Sequence, residues 1–522
     1  MLNDPLNFPT NGINPLSDPV FNLTIEEKFA KIQKRMAPLF ENIFPDPLAE
    51  RTVVVVPSLS MDPQELSKIS GIHHYEERLL CLLMLLQLPR TKLIYITSQP
   101  IHEAIIDYYL HLLPGIPERH ARRRLTLLSC HDSSIIPLSE KILQRPRLLS
   151  RIQAAIPNPE VAHITCFNTT PLERTLAVAL NAPLYACDPA LTHWGSKSYG
   201  RKVFQEAGVA VPKGFEHLHD VHEIVEALTN LKESQPGLRR AVVKLNDGFS
   251  GEGNAVFSYE GCAINGGLRR WIASELPNRI RFEAANETWE KFQKKFNRMG
   301  GVVESWIDGQ DKRSPSVQCR INPLAKTEII STHDQVLGGP TGQIFLGCTF
   351  PADAEYRLEI QAAGKRIGDV LKKRGVIGRF AVDFISVKEG DSWQHYAIEI
   401  NLRKGGTTHP FLMLQFLTNG IYDVGEGQYY TPMAQPRYYY ASDNVYSTAY
   451  LGLSPDDLVD LAVYNGLHFN AATQQGVVFH LMGAVSEFGK FGMVCIGDSP
   501  QKAANLYKKT INTLEQAAGK GW

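Results

Sequence analysis

Residues 52–60 read TVVVVPSLS, four consecutive valines running into a turn. A strand with one face in water would alternate apolar and polar side chains. An unbroken β-branched run must bury both faces, as strands of parallel sheets do. The same pattern returns in KLIYITS, RLTLLSC, VAHITCF and APLYAC, with helical spacing between, near Tyr75–Leu88 and Ile101–Leu113. Strands alternating with helices predict a parallel α/β domain. No GxGxxG follows the first strand, so a dinucleotide site there is unsupported.

The chain has 522 residues, room for about three domains on the usual prior. The expected division is a tail over 1–25, rich in Asn, Pro and Asp, then the α/β domain over 26–190. A second domain covers 191–430, and a small α+β domain covers 431–522. In the second unit, Ser196–Ala207 has helical spacing and stops at Gly208. Strand, glycine-rich loop and strand follow in RRAVVKLNDGFSGEGNAVF, and GGVVESWI reads as a further strand. Glu355–Arg374 reads as a long helix, and Gly425–Tyr440 as loop. The last unit holds a helix over Pro455–Asn465, the strands GVVFHLM and GMVCIG, and a final helix over Pro500–Ala518.

Net charge is zero and pI near 7.3, which argues against a nucleic-acid surface or a basic membrane patch. The longest apolar run, Leu79–Leu86, is too short to span a bilayer, and no secretory pattern opens the chain. Eight cysteines without a CxxC read as reduced thiols of a cytoplasmic protein.

Chemistry concentrates between Gly378 and Pro410. GRFAVDF places Asp383 on one strand, and HYAIEINLRKGGTTHP places Glu399 and Asn401 on the next. Alternation puts Glu399 and Asn401 on one face, and Arg403 shares it while the strand lasts. Oxygen ligands converging from two strands suit a hard divalent ion, magnesium first and manganese second. A surface ion-pair network is the alternative. Lys244 ends an apolar strand before a loop with Gly248, Ser250, Gly251 and Gly253, whose backbone can approach phosphate; a glycine-rich hairpin with an exposed lysine is the alternative. Glu304 leaves the strand GGVVESWI, where it can accept from an adenine amino group, with Trp306 and Ile307 at the ring edge. A solvent-facing glutamate is the other reading. Lys197 opens its helix and is unremarkable alone.

Taken in order, Lys197, Lys244 with its glycine loop, Glu304, Asp383 and the Glu399–Asn401 pair resemble the ATP-grasp superfamily over roughly residues 190–425. Within it the chain is similar to peptide ligases of the pheganomycin type. The similar strings are STHDQVLGGPTGQIFLGCTFPA, VIGRFAVDF, EINLRKGGTTHP and GVVFHLMGAVSEFGKFGMVCIGDSP. The resemblance implies an α/β domain before the ATP-grasp fold and a small α+β domain after it. It implies that ATP phosphorylates a carboxylate and an amine attacks the acyl phosphate, giving an amide, ADP and phosphate. The partners are then small-molecule or peptide carboxylates and amines, with neither nucleic acid nor membrane; a homodimer is left open.

By the same resemblance, Lys197 and Lys244 hold the α- and β-phosphates, and Glu304 and the Ile307 backbone hold adenine. Asp383, Glu399 and Asn401 hold one or two magnesium ions. Arg403 is the candidate for the γ-phosphate and Arg320 a second, with a structural ion pair as its alternative. His333 is a candidate base for the amine, against a structural histidine. Gly405, Gly406, Thr407 and Thr408 offer donors to substrate, against a helix cap. A regulatory ATP-binding protein and a hydroxyl kinase on this fold are the competing functions. Glu76 and Glu77 read as helix-start acids that favour the dipole.

Overall fold

The computed structural model describes residues 23–248, 253–262, 266–284, 287–338 and 342–520. The tail expected over the first residues lies almost wholly outside them, as do Ser250 and Gly251 of the glycine loop.

Four parallel strands build the first sheet: β1 (Arg51–Val56), β2 (Thr91–Thr97), β3 (Leu125–Ser129) and β4 (Ala162–Cys166), in the order β3-β2-β1-β4. The valine run behaves as its composition requires. Val53 and Val55 enter one core, while Val54 and Val56 enter another on the opposite face. The expected strand at APLYAC reduces to a single bridge, Ile164 to Leu184.

The helix Ile72–Gln87 is a 3₁₀ element packed over this sheet. It buries Glu76 and Glu77, which were expected to favour the dipole at a helix start, and carries them in its second turn. Glu76 accepts from the Ser98 hydroxyl at 2.6 Å, and Glu77 accepts from the Gly483 amide at 3.2 Å. Burial pushes the Glu76 carboxyl up to about 7.

The second region carries two antiparallel sheets. One comprises β5 (Gly214–Leu218), β6 (Arg240–Leu245), β7 (Asn254–Ser258), β8 (Ile280–Phe282) and β9 (Gly301–Ser305), ordered β5-β9-β6-β7-β8. The other begins with β10 (Lys312–Arg313), β11 (Pro315–Ile321), β12 (Thr327–Gly338), β13 (Ile344–Phe350), β14 (Gly378–Glu389) and β15 (Ser392–Asn401). The expected long helix runs over Arg357–Lys373. A hairpin of β16 (Ile421–Asp423) and β17 (Gln428–Tyr430) follows.

The C-terminal segment continues the second sheet. β18 (Tyr438–Tyr446) pairs with β13, and β20 (Lys490–Gly497) joins β18 to β19 (Gly476–His480). Tyr439 stacks on Phe350 at 4.8 Å between centroids, sealing the junction. One core then runs from Val53 and Leu83 through Phe350 to Val478 and Val494. Residues of all three regions share this core.

Candidate active site

β14 and β15 set Asp383 directly opposite Glu399, and Ala381 opposite Asn401. Alternation turns all four side chains to one face. That face borders a cavity of about 490 Å³, whose wall includes Asp383, Glu399, Asn401 and Arg403. Asp383 accepts from the Asn401 amide at 3.0 Å and from the Gln335 amide at 2.9 Å. Desolvation, with Glu399 pushing the same way, raises its carboxyl to about 6. Desolvation acts on Glu399 too, but its ion pair with Lys197 outweighs it and holds that carboxyl below its usual range.

Lys197 reaches this point because Ser196 caps the helix Lys197–Glu206, its hydroxyl accepting from the Tyr199 amide. The helix start is tied to the glycine-loop strand: the Lys197 amide donates to the Asn246 carbonyl at 3.1 Å, and the Ser198 amide to the Asn246 side chain at 3.0 Å. Gly248 and Gly253 bring the two limbs of the loop together, since a Cβ on Gly248 would stand 3.4 Å from the Gly253 backbone. At the far limb Asn254 lines the cavity.

On the opposite sheet, Lys244 near the end of β6 sets its ammonium 2.6 Å from Glu304. Glu304 is 2 % exposed and also pairs with Arg201 at 2.5 Å. Burial alone would raise its carboxyl, but Lys244 and Arg201 together hold it below the usual range. It is therefore a buried, doubly compensated carboxylate on the cavity wall. Trp306 and Ile307 lie beside it on that wall. The Trp306 ring is flanked by Arg240 at 4.4 Å and Lys312 at 4.5 Å, and Lys312 donates to the Ile307 carbonyl at 3.1 Å.

Arg403 follows β15, partly buried, with its guanidinium donating to the Lys404 carbonyl at 3.2 Å. Gly405, Gly406 and Thr407 continue the cavity wall. Thr408 does not: its hydroxyl accepts from the Gly405 amide at 3.0 Å at the start of the helix Thr408–Thr418.

Two expected catalytic residues lie elsewhere. Arg320 shares β11 with the wall residues Ser316 and Gln318, but sits beyond the cavity in an ion pair with Glu328 at 2.5 Å. His333 is fully buried, its Nε2 2.5 Å from the Tyr439 hydroxyl and its ring against Phe350. Burial pushes its imidazole down to about 3, so it stays neutral and off the cavity wall.

Other residues at the site were not singled out from the sequence. Arg201 carries a signal there, standing four residues after Lys197 on the same helix face. Arg78 and Asp443 also line the cavity, yet come from opposite ends of the chain and pair at 2.6 Å. Only the tertiary fold joins them.

Comparison with known proteins bears on this geometry. Residues 189–278 and 269–425 match the family described as IQCH-like, ATP-grasp, and residues 457–510 match the PGM1 C-terminal domain. The chain is 31% identical over 471 residues to an L-propargylglycine–L-glutamate ligase of Streptantibioticus cattleyicolor, covering 89% of this chain and 94% of that one. It is 21% identical to IQ motif-containing protein H of Danio rerio, over 90% of this chain and 48% of that protein. Among solved structures, biotin carboxylase from Campylobacter jejuni superposes with TM-score 0.53 at 14% identity, covering 89% of this chain and 92% of that one. N5-carboxyaminoimidazole ribonucleotide synthetase superposes with TM-score 0.50 at 13% identity, covering 90% and 98%. These two likenesses concern the fold. The identity to the S. cattleyicolor enzyme runs nearly the full length of both chains, and on it this chain belongs to the ATP-grasp family of ATP-dependent carboxylate–amine ligases.

Proposed function

We propose that the protein uses ATP to activate the carboxylate of an amino acid or short peptide and joins it to the amine of another. The observation that carries this reading is the cavity itself. Two carboxylates, a carboxamide and Arg403 line one cavity together with Lys244 and Glu304. Such a set suits a polyphosphate with its counter-ion better than it suits an apolar ligand. The amino-acid substrates follow the relative's name, which joins two amino acids.

In the proposed cycle, a carboxylate oxygen attacks the γ-phosphorus of ATP, and the bond to the β-phosphate oxygen breaks to release ADP. The amine then attacks the acyl carbon, loses a proton, and expels phosphate. Lys197 and Lys244 would hold the α- and β-phosphates, and Arg403 the charge on the transferred group. Glu304, flanked by Ser305, Trp306 and Ile307, would hold adenine. Gly405, Gly406 and Thr407 would donate to the activated carboxylate.

Asp383, Glu399 and Asn401 fit magnesium by their chemistry. All three offer oxygen, and Asp383 is a desolvated acid raised to about 6 beside a second acid. When bound, magnesium would supply positive charge against the β- and γ-phosphates. The cytoplasm suits a chain whose eight cysteines are all unpaired. Among the described residues, no helix is long and apolar enough to cross a membrane.

The test is ADP release by the purified protein with ATP and magnesium against pairs of amino acids and short peptides. Release that needs both a carboxylate and an amine, with a product one water lighter than their sum, supports the ligase. ADP release with a phosphorylated hydroxyl product would make it a kinase instead.

A further inference from the structure

Arg78 and Asp443 lie 365 residues apart and meet in the wall of the ATP cavity, the guanidinium Nη2 2.6 Å from the carboxylate. Arg78 comes from the helix Ile72–Gln87 and Asp443 from β18, so the pair joins the two regions flanking the nucleotide-binding sheets. Both side chains are held in place. The Arg78 guanidinium lies 4.1 Å over the Tyr75 ring, and the Tyr75 hydroxyl is fixed by Lys490 at 2.6 Å. Asp443 abuts the loop after Arg403: a Cβ on Gly406 would stand 3.5 Å from its Oδ2.

The pair is well compensated in charge but not in hydrogen bonds. A guanidinium has five donor protons in a fixed fork. Among the described residues, the buried Arg78 Nε finds no hydrogen-bond partner. A carboxylate arriving from the cavity would take terminal N–H groups of the Arg78 guanidinium, and an ammonium would sit against Asp443.

Position adds to this. Arg78 and Arg403 stand on one ring, Phe167, at 5.6 and 5.9 Å from its centroid. An anion on Arg78 is therefore one aromatic ring away from the residue placed at the transferred phosphoryl group, close enough for one small molecule to reach both.

We infer that Arg78 and Asp443 form the subsite for an α-amino-acid substrate, Arg78 taking the α-carboxylate and Asp443 the α-ammonium. The inference rests on the ligase reading of the cavity and adds the residues that select the amino acid. A substrate with a blocked α-carboxylate would forgo its charge-assisted hydrogen bonds to Arg78, and selection follows from that loss.

The test is calorimetric. The full chain, loaded with magnesium and a non-hydrolysable ATP analogue, is titrated with each proteinogenic L-amino acid and with the α-carboxamide of any that binds. An amino acid is expected to bind, and Arg78→Met and Asp443→Asn to weaken it at least about tenfold, the value of one lost charge-assisted hydrogen bond. The α-carboxamide should bind about tenfold worse to the parent and be indifferent to Arg78→Met. Arg78→Lys keeps the charge and pairing with Asp443 but not the fork. It should fold and still weaken the amino acid, which covers the case where the other variants are unstable. Variants that melt lower yet bind the amino acid as the parent does would make the pair a structural latch and overturn the proposal. Nucleotide binding with no amino acid bound would overturn it as well. Absence of nucleotide binding would remove the ligase reading and this subsite with it, a result distinct from the other two.

Discussion

Asp383 and Glu399 face each other across β14 and β15, and each has its own partners: Gln335 and Asn401 on Asp383, Lys197 on Glu399. Asp383, desolvated and opposite a second acid, opposes folding and favours a bound cation. Function and stability therefore pull apart at this pair. Asp383→Asn should leave unfolding stability equal or raised by up to about 1 kcal/mol, while turnover falls about 10²–10³-fold. Urea unfolding and ADP release measure the two. Full activity in this variant would contradict the assignment.

Glu304 presents the opposite case. It is the shared counter-ion of two cations, Lys244 and Arg201. Glu304→Ala leaves both in a buried place without it, which typically costs about 3–5 kcal/mol. Denaturant unfolding should show that loss even with no nucleotide present. A change under about 1 kcal/mol would mean that solvent already compensates the two cations.

Acid sensitivity should come from buried imidazoles. Burial pushes His163, His333 and His480 each down to about 3. Below the ordinary value near 6.5 the unfolded chain binds protons that the native chain refuses. Their contribution is fully present above pH 6.5 and falls as pH drops from there toward 3, by up to about 1.4 kcal/mol per pH unit for each histidine. Melting temperatures between pH 7.5 and pH 5 read this slope, and His333→Phe should reduce it. An unchanged slope would mean that His333 protonates in the native state.

Much of the site was legible because its signals are local. Four valines in a row demanded a doubly covered strand, and Val53 and Val54 enter opposite cores. Strand alternation alone put Glu399 and Asn401 on one face. What escaped depends on distant chain segments. His333 carried no mark of burial, because Tyr439 and Phe350 seal it only once β18 pairs with β13. β18 itself was hidden by Ser442, Asp443 and Asn444, polar residues that break its apolar alternation. Asp443 then turned out to line the cavity. Arg320 stands on the right strand but two residues past the last wall position, Gln318, a distance no pattern reports.

Nucleotide should stabilise the chain in a metal-dependent way. A ligand at a hundred times its Kd adds about 2.7 kcal/mol, and, with Asp383, Glu399 and Asn401 holding the ion as proposed, magnesium should raise the ADP-dependent shift in Tm. Glu399→Gln should remove the magnesium-dependent part and keep the part due to ADP alone. An equal magnesium effect in this variant would place the ion elsewhere.

The most direct test of the central claim uses a substrate carboxylate labelled with ¹⁸O. If the carboxylate attacks the γ-phosphorus and the amine later expels phosphate, one labelled oxygen must leave in the inorganic phosphate, in step with amide formation. Mass spectrometry of the phosphate should show that single transfer. Unlabelled phosphate alongside labelled amide would contradict activation of the carboxylate by phosphoryl transfer.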